Sequence, residues 1–243
     1  MITNLITKKI SMYSSSNTAV ILAGGQGTRL QPYTSVFPKP LVPVGGKPIL
    51  EIIIKQLKNN NFKKIVICLN KKNDLIRLYF GDGSKFGVKI NYVYEKKALS
   101  TMGPLHLIKN LPKNFLIMNG DILSEINYKR FYQKHIKSKK NLSVAVKGIT
   151  QKIDYGILKF KNQKLIEFQE KPKLKFSVSM GIYAANKNIL RWIPKNKFFG
   201  FDNLMKNLIK SNQFINAIKY KNNWLDIGRP SDYYKANKLH KSE

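Results

Sequence analysis

Leu22-Ala23-Gly24-Gly25-Gln26-Gly27-Thr28-Arg29-Leu30, running on from Gln31 to Leu50 as QPYTSVFPKPLVPVGGKPIL, decides how this chain is read. The apolar run Ala19-Val20-Ile21-Leu22 ends on glycines, as a buried strand does when it stops at a tight turn. Gly24, Gly25 and Gly27 can take positive φ and let backbone amides approach an anion closely. Arg29 and Lys39 add two cations to the same loop. Phosphoryl transfer asks for that combination, because its catalysis is mostly positioning and charge neutralisation. Two other phosphate loops fit poorly. Gly25-Gln26-Gly27 lacks the third glycine of a dinucleotide fingerprint, and Gly46-Lys47-Pro48 lacks the upstream glycine and the Ser/Thr of a P-loop.

Working outward, Pro48 opens a segment with Leu50, Ile53, Ile54 and Leu57 at helical spacing, and a proline in the first turn costs no hydrogen bond. Strands are predicted over residues 64–70, 89–94, 114–119 and 142–146, and helices over 75–80, 102–111 and 128–139. This alternation predicts an α/β fold: a mainly parallel, doubly wound, Rossmann-like sheet with ligands at the carboxyl ends of its strands. After about residue 150 the pattern changes to a hairpin (155–160 and 164–170, around Lys161-Asn162-Gln163) and a strand over 178–184. A smaller inserted β subdomain is therefore expected over about 150–200. Residues 1–17 are polar and without period, and are expected to be a flexible extension before a single domain spanning 18–243.

The chain has 243 residues, of which 43% are hydrophobic, enough for a substantial core. No stretch approaches the roughly 18 apolar residues of a membrane helix, and the N-terminus lacks the apolar core of a secretory signal, so a cytoplasmic protein is expected. Cys68, the one cysteine, excludes a disulfide framework or a cysteine metal site. The net charge of +31 invites a nucleic-acid function. Its distribution argues against a specific one: the basic residues are spread along the chain, and only Arg29, Arg77, Arg130, Arg191 and Arg229 are arginines, the better phosphate forks. A solvated lysine surface with a general pull on anionic substrates is the expectation. His106, His135 and His240 lie far from these motifs, and no nucleophile elbow or histidine pair supports a hydrolase.

The run LAGGQGTRL followed by FPKPLVPVGGKPIL resembles the signature of the sugar-phosphate nucleotidylyltransferase family, and further matches follow in that family's order from about Thr18 to Lys235. The resemblance implies that Leu22, Ala23, Gly24, Gly25, Gly27 and Thr28 hold the nucleotide, and that Arg29 and Lys39 contact the reacting phosphates. Met118-Asn119-Gly120-Asp121 and Trp224-Leu225-Asp226-Ile227-Gly228 resemble the motifs whose aspartates, here Asp121 and Asp226, bind Mg2+. Carboxylates from two distant segments can converge on one hard cation whose other positions go to phosphate and water. Glu170-Lys171-Pro172 resembles the sugar-side motif, in which Glu170 would hold hydroxyls and Lys171 the sugar phosphate. Gly120, Gly156 and Gly181 are expected sugar contacts by the same comparison.

Glu95-Lys96-Lys97-Ala98-Leu99-Ser100-Thr101-Met102-Gly103 aligns with the family's base loop, with Glu95, Ser100 and Thr101 at the base. Ala98, Ser100 and Met102 depart from the usual proline, glycine and alanine, Ser100 most seriously. A carboxylate only accepts hydrogen bonds and guanine offers two adjacent donors, so Glu95 favours GTP over the pyrimidines. The resemblance thus implies transfer of GMP from GTP to a sugar 1-phosphate, nearest the mannose- and heptose-1-phosphate guanylyltransferases. Cytidylyl, uridylyl or thymidylyl transfer on the same fold is the alternative within enzymes. Outside them stand a non-catalytic nucleotide-sugar-binding protein and a nucleic-acid-binding protein. The sugar and self-association into a homo-oligomer stay open.

Overall fold

The first apolar run forms an interior strand of the sheet in the computed structural model, which describes residues 17–25, 27–70 and 74–240. Apart from Asn17, the expected N-terminal extension lies outside the described residues. In chain order the regular elements begin with β1 (Asn17–Leu22), short β2 (Pro43–Val44) and β3 (Lys47–Pro48), α1 (Ile49–Asn59), β4 (Phe62–Asn70), α2 (Asp74–Phe80), β5 (Lys89–Glu95), β6 (Asn114–Asn119), β7 (Ile122–Ser124) and α3 (Tyr128–Ser138). They continue with β8 (Leu142–Lys152), β9 (Ile157–Lys161), β10 (Lys164–Gln169), β11 (Lys173–Asn186), α4 (Phe201–Lys210), β12 (Ile215–Tyr220), β13 (Trp224–Asp226) and α5 (Pro230–His240).

Seven strands make one sheet in the order β12-β8-β11-β6-β1-β4-β5. β1 pairs in parallel with β4 and β6, β4 with β5 and β12 with β8, while β11 runs antiparallel to both its neighbours. Side chains alternate across a strand, so β1 feeds two cores. Ala19 and Ile21 pack with Ile49, Leu50, Ile53, Ile54 and Leu57 of α1 and with Phe131 of α3 on one face. Val20 packs with Val66, Cys68 and Leu204 and Leu208 of α4 on the other. Helices on both faces explain why β1 reads as a continuous apolar run instead of an alternating one. The α/β sheet expected from the sequence is therefore present, mostly parallel, with β11 as its antiparallel member.

The helix expected over 102–111 does not form. The segment makes only a 3-10 turn over Gly103–Leu107. Gly103-Pro104 removes one amide and supplies one poor helix former, and the amides of Met102 and Gly103 donate instead to the Phe199 carbonyl at 3.0 and 3.1 Å. Met102, Leu105 and Leu111 are buried, so the helical-looking spacing served core coverage.

Beyond the sheet, β8 and β11 continue as an antiparallel ribbon from Ser179↔Val146 out to Lys173↔Lys152. The β9–β10 hairpin forms a separate two-stranded sheet, turning through Asn162 and Gln163 at φ 46° and 64°. Within residues 150–200 only this ribbon and hairpin leave the sheet; the inner half of β11 and the turn Lys187–Trp192 return to the core.

The core also holds a histidine. His135 on α3 is buried, its Nδ1 lies 2.9 Å from Ser143 Oγ, and its Nε2 has no hydrogen-bond partner among the described residues. Burial lowers its pKa from 6.5 to about 4. The unfolded chain therefore binds a proton near pH 6.5 that the folded chain refuses until about pH 4. Stability is expected to fall by up to about 3 kcal/mol as pH drops through that window, levelling off below it. Urea unfolding of wild type and His135→Gln at pH 7.5 and 4.5 checks this; an equal pH dependence in both would contradict it.

Candidate active site

Because β1, β4, β5 and β6 are parallel neighbours, their carboxyl ends, Leu22, Asn70, Glu95 and Asn119, lie along one edge. A cleft of about 620 Å³ opens there, lined among others by Leu22, Ala23, Gly24, Gly25, Gly27, Thr28, Arg29, Lys39, Glu95, Ser100, Thr101, Gly120 and Asp121. Its volume is that of a small-molecule site. The strand ends are stitched together: Gly120 N–H donates to Leu22 O at 2.9 Å, Ala23 N–H to Cys68 O at 2.9 Å, and Asn70 Nδ2 to Gly24 O at 2.8 Å.

Two glycines of the loop after β1 do different work. Gly27 is left-handed at φ 67°, its carbonyl takes a hydrogen bond from Thr34 Oγ1 at 2.8 Å, and a Cβ there would stand 3.0 Å from Lys39 Cβ. It lets the loop fold back so that the Lys39–Leu41 turn sits beside the Thr28–Leu30 turn that carries Arg29. At Gly24 a Cβ would lie 2.6 Å from Glu95 Oε1, so that glycine makes room for the carboxylate. Glu95 is 8% exposed, and its Oε2 accepts the Leu99 amide at 2.8 Å. Burial raises its pKa, with the amide pulling the other way.

The second cluster holds the acids. β13 pairs with β7, setting Asp226 opposite Ile122, and Ile227 N–H donates to Asp121 O at 3.1 Å. This brings Asp226 against the Asn119–Gly120–Asp121 turn from more than a hundred residues away. Lys39, itself nearly buried, forms an ion pair with Asp121 Oδ2. Arg29 lies close by: a Cβ on Gly228 would be 3.6 Å from Asp226 Oδ1 and 3.7 Å from Arg29 Cζ. Burial raises the pKa of Asp226, the Asp121 charge raises it further, and Lys39 and Arg29 lower it.

Asp121 Oδ1 and Asp226 Oδ1 are both buried and without a hydrogen-bond partner among the described residues. Orphaned carboxylate oxygens are costly unless something satisfies them. A hard divalent cation fits this donor set. Since the described residues hold no group of three side chains able to bind a metal, its remaining positions would fall to substrate oxygens and water.

The sugar-side residues divide. Gly181 sits at φ 70° where the β11–β8 register shifts, and a Cβ there would be 2.9 Å from Asn119 Nδ2 and 3.2 Å from Ile122. Trp224 Nε1 donates to the adjoining Met180 O at 2.8 Å, which ties this bulge to the strand that carries Asp226. Glu170, Lys171 and Gly156 gather instead on the exposed ribbon end and hairpin: Lys171 Nζ is 3.9 Å from Glu170 Oε1, and a Cβ on Gly156 would lie 3.2 Å from Glu170 Oε2. They do not line the cleft. Sequence reasoning passed over Asn70 and Phe198, and gave no role to Lys96, Lys97 and Gly228 within the motifs it quoted; all five line the cleft. Gly228 stood within a recognised motif; Phe198 carried no signal, being about a hundred residues from the loop it faces.

A family model described as nucleotidyl transferase matches residues 18–243. The chain is 32% identical over 227 residues to D-glycero-alpha-D-manno-heptose 1-phosphate guanylyltransferase of Aneurinibacillus thermoaerophilus, the alignment covering 90% of this chain and 96% of that protein. It is 29% identical over 239 residues to UTP--glucose-1-phosphate uridylyltransferase of Synechocystis sp., covering 90% of this chain and 62% of that longer protein. Among solved structures it resembles HddC from Yersinia pseudotuberculosis, with a TM-score of 0.71 and 27% identity over 92% of this chain and 99% of that one. HddC complexed with GMP-PN gives a TM-score of 0.68 at the same identity and coverage.

Ser100 stands at φ 62°, in the left-handed region that disfavours a Cβ. Glycine, the residue the resemblance led one to expect at this position, would adopt that backbone without strain. Ser100→Gly is expected to raise Tm by about 2 °C, relief of left-handed strain of order 1 kcal/mol being partly offset by greater unfolded-state entropy. A thermal melt with an unchanged or lower Tm would contradict this.

Proposed function

The chain belongs to the nucleotidyl transferase family, and from that premise we propose that it transfers GMP from GTP to a sugar 1-phosphate, releasing pyrophosphate. What carries the reading is the meeting of two orphaned carboxylate oxygens, on Asp121 and Asp226, with two cations, Arg29 and Lys39, beside the glycine loop that follows β1.

An oxygen of the sugar phosphate attacks the α-phosphorus in line, a new P–O bond forms, and the bond to the β-phosphate bridging oxygen breaks as pyrophosphate departs. The chain's residues position and neutralise. Leu22, Ala23, Gly24, Gly25, Gly27 and Thr28 line the part of the cleft proposed to take the phosphates, and Arg29 and Lys39 balance charge building on the transferred and leaving groups. Asp121 and Asp226 would hold a divalent cation, proposed to be Mg2+, which when bound neutralises triphosphate charge. Glu95, Ser100 and Thr101 face the base, with Glu95 Oε1 as the acceptor for guanine donors. On this reading Glu170, Lys171 and Gly156, on the ribbon and hairpin outside the nucleotide cleft, and Gly120 and Gly181 near the acids form the sugar side, Lys171 holding the sugar phosphate. The enzyme is proposed to act without nucleic acid or membrane; among the described residues no helix is long and apolar enough to cross one.

Pyrophosphate release over GTP, ATP, UTP, CTP and dTTP, each with mannose, glucose and heptose 1-phosphates and Mg2+, tests this reading. Turnover is expected to be fastest with GTP, and a pyrimidine optimum would overturn the base assignment. Asp226→Asn and Asp121→Asn remove a carboxylate charge at nearly constant volume, and each is expected to lower kcat/KM by about 100-fold or more while leaving the fold intact. Wild-type rates in either variant would refute the carboxylate assignment.

A further inference from the structure

Phe198 is 70% exposed, yet it lines the cleft beside Glu95, Lys96 and Lys97. A lone exposed phenylalanine needs no explanation by itself. This one sits on a fixed pedestal. Its neighbour Phe199 is buried in the core, and Phe199 N–H donates to Leu99 O at 2.9 Å while Phe199 O accepts the Met102 and Gly103 amides. Phe201 N–H then donates to Thr101 Oγ1 at 2.8 Å. These bonds clasp the turn before α4 to the loop that carries Ser100 and Thr101. The approach is close enough that a Cβ on Gly103 would stand 2.9 Å from Lys197 O. With Phe199 turned into the core, the ring of Phe198 is left at the cleft, held there by backbone and not by burial of its own.

We propose that Phe198 is the platform on which the nucleobase stacks, a proposal that rests on the reading of the cleft as a nucleotide site. Any base presents a π-face, so an aromatic wall supplies affinity with little discrimination, and a ring on a rigid turn loses little freedom when it is covered. Glu95, meeting donors on the base edge, supplies the discrimination. Affinity and specificity thus belong to different side chains lining one cleft.

Equilibrium binding of non-hydrolysable triphosphate analogues, without sugar phosphate, separates the two roles. Phe198→Ala and Phe198→Leu are expected to weaken guanine and uracil nucleotides alike, by about tenfold, with Phe198→Trp restoring affinity and its indole fluorescence quenched on binding. Glu95→Gln is expected instead to change the ratio between the two bases. The leucine variant keeps apolar bulk, so loss of binding with an unchanged Tm reports the missing π-face. Binding by both variants within about twofold of wild type, or a loss confined to one of the two bases, overturns the proposal while leaving the cleft a nucleotide site. Failure of wild type itself to bind any triphosphate analogue overturns both.

Discussion

The site depends on holding two half-buried carboxylates together, one oxygen of each shut away from solvent. The hydrogen bond from Ile227 to Asp121 O and the short β7–β13 ladder make that proximity a property of the backbone. Left alone, the arrangement would be costly, because burial and like charge both disfavour ionised Asp226, as the upward direction of its pKa records. Lys39 on Asp121 and Arg29 near Asp226 offset part of that cost. The Oδ1 oxygens that stay unsatisfied are the ones the proposed cation would engage.

The same economy of geometry shapes the base side. Glycine at position 24 creates the space that Glu95 Oε1 fills, and glycine at 103 admits the Lys197 carbonyl. Both close approaches bring distant segments to one loop. Serine at position 100 pays for its left-handed backbone, a strain of the kind that gathers at binding sites and is held by surrounding structure, here the clasp through Phe199 and Phe201.

Much of this was legible in the sequence because strand-end chemistry is written locally. The β1 run, the glycines after it, Arg29 and Lys39 lie within about twenty residues, and the Asp121 and Asp226 motifs each span about five. The central strands and α1 followed from period and burial. What escaped was non-local: the 102–111 segment looked helical because its apolar residues cover a core, but Pro104 and the Phe199 carbonyl take its backbone elsewhere. Phe198 was invisible for the same reason, since nothing near it in the chain mentions the cleft. For Gly24 the sequence suggested phosphate approach, and the structure adds a second reason for glycine there, the contact with Glu95.

The metal-binding claim at the carboxylate pair has the most direct test in Mn2+ electron paramagnetic resonance with a non-hydrolysable GTP analogue. The account expects wild type to bind one Mn2+ tightly only when nucleotide is present, and expects that binding to vanish in both Asp121→Asn and Asp226→Asn. Undiminished nucleotide-dependent Mn2+ binding in the two variants would contradict it.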